Sequence, residues 1–158
     1  QVLLDGIKKE WTLAQMIEAL DLLLGDIIAP LDSAGRRINI PARLATIART
    51  NLTDAFNQAR LSAFTDPSVG DFVKAYMYDA IMDGRTTETC RIRDGRIYLK
   101  GDPIWKVMTP PAHFNCRSVL TAITELDTDW TVAPPLPSGG ESAKGFAIAD
   151  VPRSIRTS

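Results

Sequence analysis

The sequence is short of the residues on which cross-linked, metal-rich and membrane-spanning proteins draw. It has a single histidine, two cysteines and only 7% aromatic residues. Cys90 and Cys116 are too few for a disulfide scaffold, and they leave the redox compartment undecided. No apolar run approaches the roughly 18 to 20 residues that span a bilayer. The densest, residues 20–30, is cut by Asp21, Gly25 and Asp26, so no membrane association is expected. No basic-then-apolar segment opens the residues given, which argues against a secretory signal among them, and a start at Gln1 is what a processed or trimmed product shows. Positive charge is not in excess either. A net charge of −1 argues against a dedicated nucleic-acid binder, although residues 83–117 carry seven Lys/Arg against four Asp/Glu. That mildly basic stretch reads first as a solvated face and second as a surface able to touch phosphates.

What is present is ordinary globular usage, 45% hydrophobic and 23% charged in 158 residues. This length suits one compact domain with extensions. Thr12 and Gln15 have the form of a capping box, and Leu13, Met16, Ile17, Leu20, Leu23, Leu24 and Ile27 follow at helical spacing until Pro30. The apolar stripe of this helix needs a cover, from its own domain or from a neighbouring subunit. A loop is expected over residues 32–37, then a second helix from Pro41 to about Phe64. Leu44, Ile47, Phe56, Ala59 and Phe64 are its expected buried positions, with Arg43, Arg49 and Arg60 largely outside.

Residues 72–82, rich in Val, Tyr, Phe and Ile, suit a strand, although a helix is permitted. Asp83-Gly84 makes a turn, and Thr86 or Thr87 caps a short helical turn across Cys90 that ends at Asp94-Gly95. Two further strands are expected over residues 96–99 and 117–123. The fold class is therefore α+β: N-terminal helices, one long helix packed on a small antiparallel sheet, and an extended C-terminal tail. The expected divisions are a helical arm over 1–40, the α+β domain over 41–130 and a Pro/Gly/Ser-rich tail over 131–158. Such a tail is either disordered or ordered by lying on a partner.

The only histidine and both cysteines fall in two short stretches, 83–95 and 110–118, beside Asp83, Arg85, Asp94, Asn115 and Arg117. Rare polar types concentrated in this way imply that the stretches meet in space, and four chemistries compete there. His113, Cys116 and Cys90 offer soft zinc ligands, but the natural fourth position, three residues after Cys90, is Arg93, which leaves Asp94 as the substitute. Cys90 and Cys116 can pair as a disulfide or remain two buried thiols. A Cys-His pair oriented by Asn115 or Asp83 can act as a nucleophile, although no oxyanion loop or cofactor-binding glycine pattern accompanies it. The preferred reading is a structural clasp, in which Arg85 and Arg117 pair with Asp83 or Asp94, and His113 bonds a carbonyl behind the stiff Pro110-Pro111.

The order Asp-x-Arg-Thr-x-x-x-Cys, Asp-Gly, Trp, then Pro-Pro-x-His-x-x-Cys-Arg-Ser resembles the phage minor head proteins of the Mu F-like head morphogenesis family. It is carried by Asp83, Arg85, Thr86, Cys90, Asp94, Gly95, Trp105, Pro110, Pro111, His113, Asn115, Cys116, Arg117 and Ser118. The helical stretch 47–61 resembles the helix that precedes this block, so the likeness covers about residues 41–125. Some relatives carry Cys-x-x-Cys in the first stretch and Cys-Arg-Cys in the second. Arg93 and Ser118 stand at those places here, so metal binding is not carried over.

The resemblance implies a structural minor head protein of a tailed phage, acting in head morphogenesis or DNA packaging and delivery, with no catalysis and no cofactor. The partners it implies are the portal protein first, the major capsid protein second and packaged DNA third, with several copies in one assembly. Its place is then the virion, and the host cytoplasm during assembly. The alternatives are a small Cys/His hydrolase- or nuclease-like phage effector built on Cys90 and His113, or a neck or connector protein.

Overall fold

The structure is a computed structural model that describes residues 5, 6, 8–28, 40–144 and 146, the side chains of 21, 24–28, 40 and 41 excepted. The chain divides into two compact units, Gln1–Leu52 and Thr53–Ser158. The division falls inside the long helix.

In the first unit, helix α1 (Leu13–Ile28) opens with the expected capping box. The Gln15 amide donates to Thr12 Oγ1 at 3.3 Å, and the Thr12 amide donates to Gln15 Oε1 at 2.7 Å, satisfying two orphan donors. Helix α2 (Ile40–Phe64) begins beside Pro41 and ends where expected. Leu20, with Leu13 and Ile17 beside it, packs on Leu44 and Ala48 of α2, so the chain itself supplies part of the cover for α1. Leu23, expected in the same stripe, is 60% exposed. The burial of Leu24 and Ile27, the stop at Pro30 and the loop over 32–37 lie outside the described residues.

The second unit is built on a three-stranded antiparallel sheet of order β2-β1-β3, with β1 at Val73–Asp79, β2 at Ile97–Leu99 and β3 at Val119–Thr124. Tyr76 in the central strand stands opposite Tyr98 on one side and Ala122 on the other. Two short helices, α3 (Glu88–Arg93) and α4 (Trp105–Met108), lie in the connections. Tyr76, Tyr78, Tyr98, Trp105, Met108 and Leu120 form the centre of the core. The Trp105 ring meets Tyr76 and Tyr98 edge-on at 5.5 and 5.9 Å, and its indole N–H donates to the Leu99 carbonyl at 3.0 Å. Leu61 and Phe64 of α2 close the core from the other side, Phe64 stacking on Tyr76 at 5.7 Å.

The face that α2 turns toward the sheet differs from the expected one. Phe56 is 52% exposed and Ala59 is exposed, whereas Asn57 is fully buried and Arg60 half-buried. Strand β3 is an edge strand whose outer backbone groups need partners. Residues of α2 at helical spacing provide them. Thr53 Oγ1 donates to the Cys116 carbonyl at 2.8 Å, and Asn57 Nδ2 donates to the Ser118 carbonyl at 3.2 Å. Asn57 Oδ1 accepts from the Leu120 amide at 2.9 Å, and Arg60 donates to the Leu120 carbonyl at 2.5 Å. Side chains of a helix thus stand in for a missing strand.

Residues 131–144 were expected to be disordered or laid on a partner, and instead they lie on their own domain. The Ala133 amide donates to the Ile97 carbonyl at 2.8 Å, and the Tyr98 hydroxyl donates to the Pro134 carbonyl at 2.7 Å. Further along, the Ala143 amide donates to the Ala112 carbonyl at 2.9 Å. Arg93, fully buried, donates to the Gly140 carbonyl at 2.6 Å, the Met108 carbonyl at 3.4 Å and Ser142 Oγ at 3.0 Å. Its guanidinium also lies over the Tyr78 ring, 5.6 Å from the centroid. A segment with little apolar bulk is therefore held by backbone hydrogen bonds. Residues 145 and 147–158 lie outside the described residues. No described helix is long and apolar enough to cross a membrane.

Two substitutions test this architecture. Asn57→Leu leaves the Ser118 carbonyl and the Leu120 amide without their partner, and is expected to cost about 3 kcal/mol in urea unfolding. Arg93→Met removes the buried anchor of the tail. Limited proteolysis within residues 131–144 is expected to accelerate by about tenfold, the equivalent of roughly 1.4 kcal/mol of local opening.

Candidate functional site

The two stretches singled out in the sequence meet. The first begins as a turn knotted by Thr86. The Asp83 amide donates to Thr86 Oγ1 at 2.8 Å, and Thr86 Oγ1 donates to the Ile81 carbonyl at 2.5 Å. Thr87 then caps α3, accepting from the Cys90 amide at 3.4 Å, and the helix presents Cys90 inward. At its far end the Gly95 amide donates to the Tyr78 carbonyl at 2.9 Å, with Gly95 at φ +68°, a conformation that favours glycine. The second stretch enters through the cis Pro110–Pro111 bond and turns at Asn115, whose φ of +57° is one that asparagine tolerates better than most residues.

Between them runs a two-pronged ion pair. Arg117 donates to Asp83 Oδ2 at 2.7 Å and to Oδ1 at 2.6 Å. Arg85 and Asp94, also expected in such pairs, act differently. Arg85 donates its backbone amide to Asp83 Oδ1 at 2.8 Å while its side chain is exposed, and Asp94 accepts the Ala80 amide at 2.8 Å. Asp83 is thus surrounded by donors. The Arg117 guanidinium first, then the Arg85 amide, hold its carboxyl well below the usual carboxylate range.

Behind the ion pair sit the soft side chains. Cys90 and Cys116 are buried and unbonded, with their sulfurs 3.8 Å apart. His113 turns Nδ1 to the Phe114 carbonyl at 2.8 Å, so Nδ1 carries a proton and Nε2 faces Cys90 Sγ at 3.1 Å and Thr87 Oγ1 at 2.9 Å. Tyr78, not singled out in the sequence, places its hydroxyl 3.3 Å from Cys90 Sγ and 3.8 Å from Cys116 Sγ. Burial pushes this hydroxyl far up, so it stays a donor. Ser118 Oγ donates to Cys90 Sγ at 3.4 Å. The thiols titrate as a pair. Their mutual hydrogen bond, then burial, push Cys90 up, while that same bond favours the thiolate of Cys116.

The nearby cavity, bounded by Thr87, Cys90, His113 and Ser118 among others, has about 20 Å³, space for one water-sized species. Tyr78 and Thr87 had no distinguishing signal beyond strand alternation and capping. Arg93, which stands where a fourth ligand would, is committed to the Gly140 carbonyl and Ser142.

The ion pair makes a signed prediction. A carboxyl depressed in the folded state stabilises the fold above the ordinary carboxylate range and loses that contribution as pH falls through its folded value. Asp83→Asn is therefore expected to lower the urea midpoint at neutral pH. The difference from the parent chain shrinks as pH falls from about 5 toward about 2. A difference that stays constant over that range contradicts the assignment.

Residues 4–121 match the family described as "Phage Mu protein F like protein". Among relatives, the "Mu-like prophage FluMu F protein" of Haemophilus influenzae is 34% identical over 96 residues, which is 60% of this chain and 23% of that protein. The "Putative capsid assembly protein F" of Escherichia phage Mu is 28% identical over 125 residues, 76% of this chain and 28% of that protein. The chain thus spans about a quarter of the length of these relatives. No solved structure matches. With the family's match extending over most of the chain and through the motif stretches, the chain belongs to the phage Mu protein F-like family.

Proposed function

We propose that this chain acts in tailed-phage head assembly as a structural minor head module, through contacts rather than turnover. The supporting observation is how the motif residues are spent. Asp83, Arg85, Thr86, Cys90, Asp94, Gly95, His113, Cys116 and Arg117 bond one another or nearby backbone. In this reading the motif, Asn115 included, is a clasp that locks two loops of a small domain, and the domain's surface does the work. The Mu relative's name points to capsid assembly, and we extend that role to this module. Its partners are then the portal protein first, the major capsid protein second and packaged DNA third, with several copies per head, in the host cytoplasm during assembly and in the virion afterwards.

One observation favours a second reading. Cys90 Sγ and His113 Nε2 stand 3.1 Å apart, the reach of a nucleophile and its base in a small hydrolase- or nuclease-like effector.

Proheads and mature virions are the place to test both. The chain is expected in one or both by mass spectrometry, and complete absence from each overturns the assembly role. Arg117→Ala is expected to lower the yield of filled heads together with the thermal stability of the isolated protein. His113→Ala separates the readings: an enzyme loses turnover with its melting temperature unchanged, whereas a clasp loses melting temperature.

A further inference from the structure

Cys90 Sγ, His113 Nε2 and Cys116 Sγ lie within 4.8 Å of one another. Their spacing resembles one face of a tetrahedral metal site. With metal–sulfur bonds of about 2.3 Å and a metal–nitrogen bond of about 2.0–2.1 Å, two sulfurs stand about 3.8 Å apart and sulfur and nitrogen about 3.5 Å apart. Here the sulfurs are separated by 3.8 Å, and Cys90 Sγ and His113 Nε2 by 3.1 Å. The remaining side, from Cys116 Sγ to His113 Nε2, is no longer than 4.8 Å.

The surroundings fit a bound cation. The imidazole has the tautomer that coordination needs, because Nδ1–H is engaged by the Phe114 carbonyl and Nε2 keeps a lone pair, which accepts from Thr87 Oγ1 and which a bound ion would take over. The hydroxyls of Tyr78 and Ser118 reach Cys90 Sγ at 3.3 and 3.4 Å, as donors to a coordinated thiolate would. The cavity beside Cys90 and His113 leaves room for a water in a fourth position. Three cations could oppose the ion: Arg117 and Arg93 are committed, and Arg85, which also lines the cavity, is exposed to solvent. Asp83 neutralises Arg117, and Arg93 points its guanidinium at the Met108 and Gly140 carbonyls.

We infer that Cys90, His113 and Cys116 form a three-ligand site for a thiophilic divalent ion, zinc by its chemistry, with water completing the tetrahedron. On binding, any thiol proton still held by Cys90 or Cys116 passes to solvent, leaving two thiolates, and His113 contributes a lone pair without losing a proton. Two thiolates balance the charge of the ion. The inference goes beyond the assembly role and stands whether or not the chain acts in heads.

The test uses the full chain, purified reduced and without chelators, titrated with cobalt(II) and then zinc(II). The expected result is one ion per chain, a sulfur-to-cobalt charge-transfer band that zinc abolishes, and protection of both thiols from a disulfide reagent. His113→Gln and Cys116→Ser are expected to weaken binding by at least about tenfold, and Lys106→Ala, exposed on α4 and outside the site, to retain the ion. Circular dichroism shows whether each variant is folded, and the titration of the parent chain decides the matter even where a variant is not. Absence of the band, with thiol reactivity unchanged by zinc, overturns the site. So does a Cys90–Cys116 disulfide, seen as the loss of two hydrogens in mass, that forms equally fast with zinc present.

Discussion

The arrangement depends on satisfying the outer edge of β3. A short edge strand presents carbonyls and amides that must find partners when covered, and among the described residues no fourth strand stands there. Helix α2 solves this with Thr53, Asn57 and Arg60, which between them serve the backbone of Cys116, Ser118 and Leu120. Asn57 matters most, because it donates to one residue and accepts from the next but one, fixing the register of the strand against the helix. Buried amides of this kind are costly if half-satisfied and specific if complete.

That register has a consequence for the motif. Cys116 and Arg117 sit in the segment that enters β3, so anchoring Cys116 and Ser118 to α2 also aims Arg117 at Asp83 and brings Cys116 to Cys90. From the other side, α3 is held by Thr87 at its start and by the Asp94 and Gly95 bonds to Ala80 and Tyr78 at its end. Each loop is therefore fixed to a regular element before it meets the other. The two thiols and the imidazole beside Cys90 inherit that rigidity.

The tail follows the same economy. A unit of this size has little apolar surface to spare, and residues 131–144 add backbone hydrogen bonds more than bulk. Arg93 is central here. It takes the place at which a cysteine would complete a Cys-x-x-Cys pair, and its guanidinium instead gathers the Met108 and Gly140 carbonyls and the Ser142 hydroxyl. The residue that argued against a metal in the sequence thus has a different task in the fold.

Local physics made much of this legible without coordinates. The capping box at Thr12 and Gln15, the extent of the long helix, the turn at Asp83-Gly84, the cap at Thr87 and the glycine stop at Gly95 each follow from a few neighbouring residues, and the structure has them all. The α+β class and the family likeness followed from the same order of signals. Apolar periodicity misjudged Phe56 and Ala59 and passed over Asn57, because it equates burial with hydrophobicity, and here the covering face of α2 is polar for the sake of a strand's backbone. Composition likewise marked the tail as unable to bury apolar surface, but could not foresee that carbonyls and amides would hold it. Which arginine pairs with Asp83, where Arg93 points and how far Cys90 lies from His113 are distances between residues remote in sequence. Only the packing of α2, α3 and β3 sets them, since spacing along a chain fixes neighbours within an element and leaves the approach of separate elements to tertiary contacts.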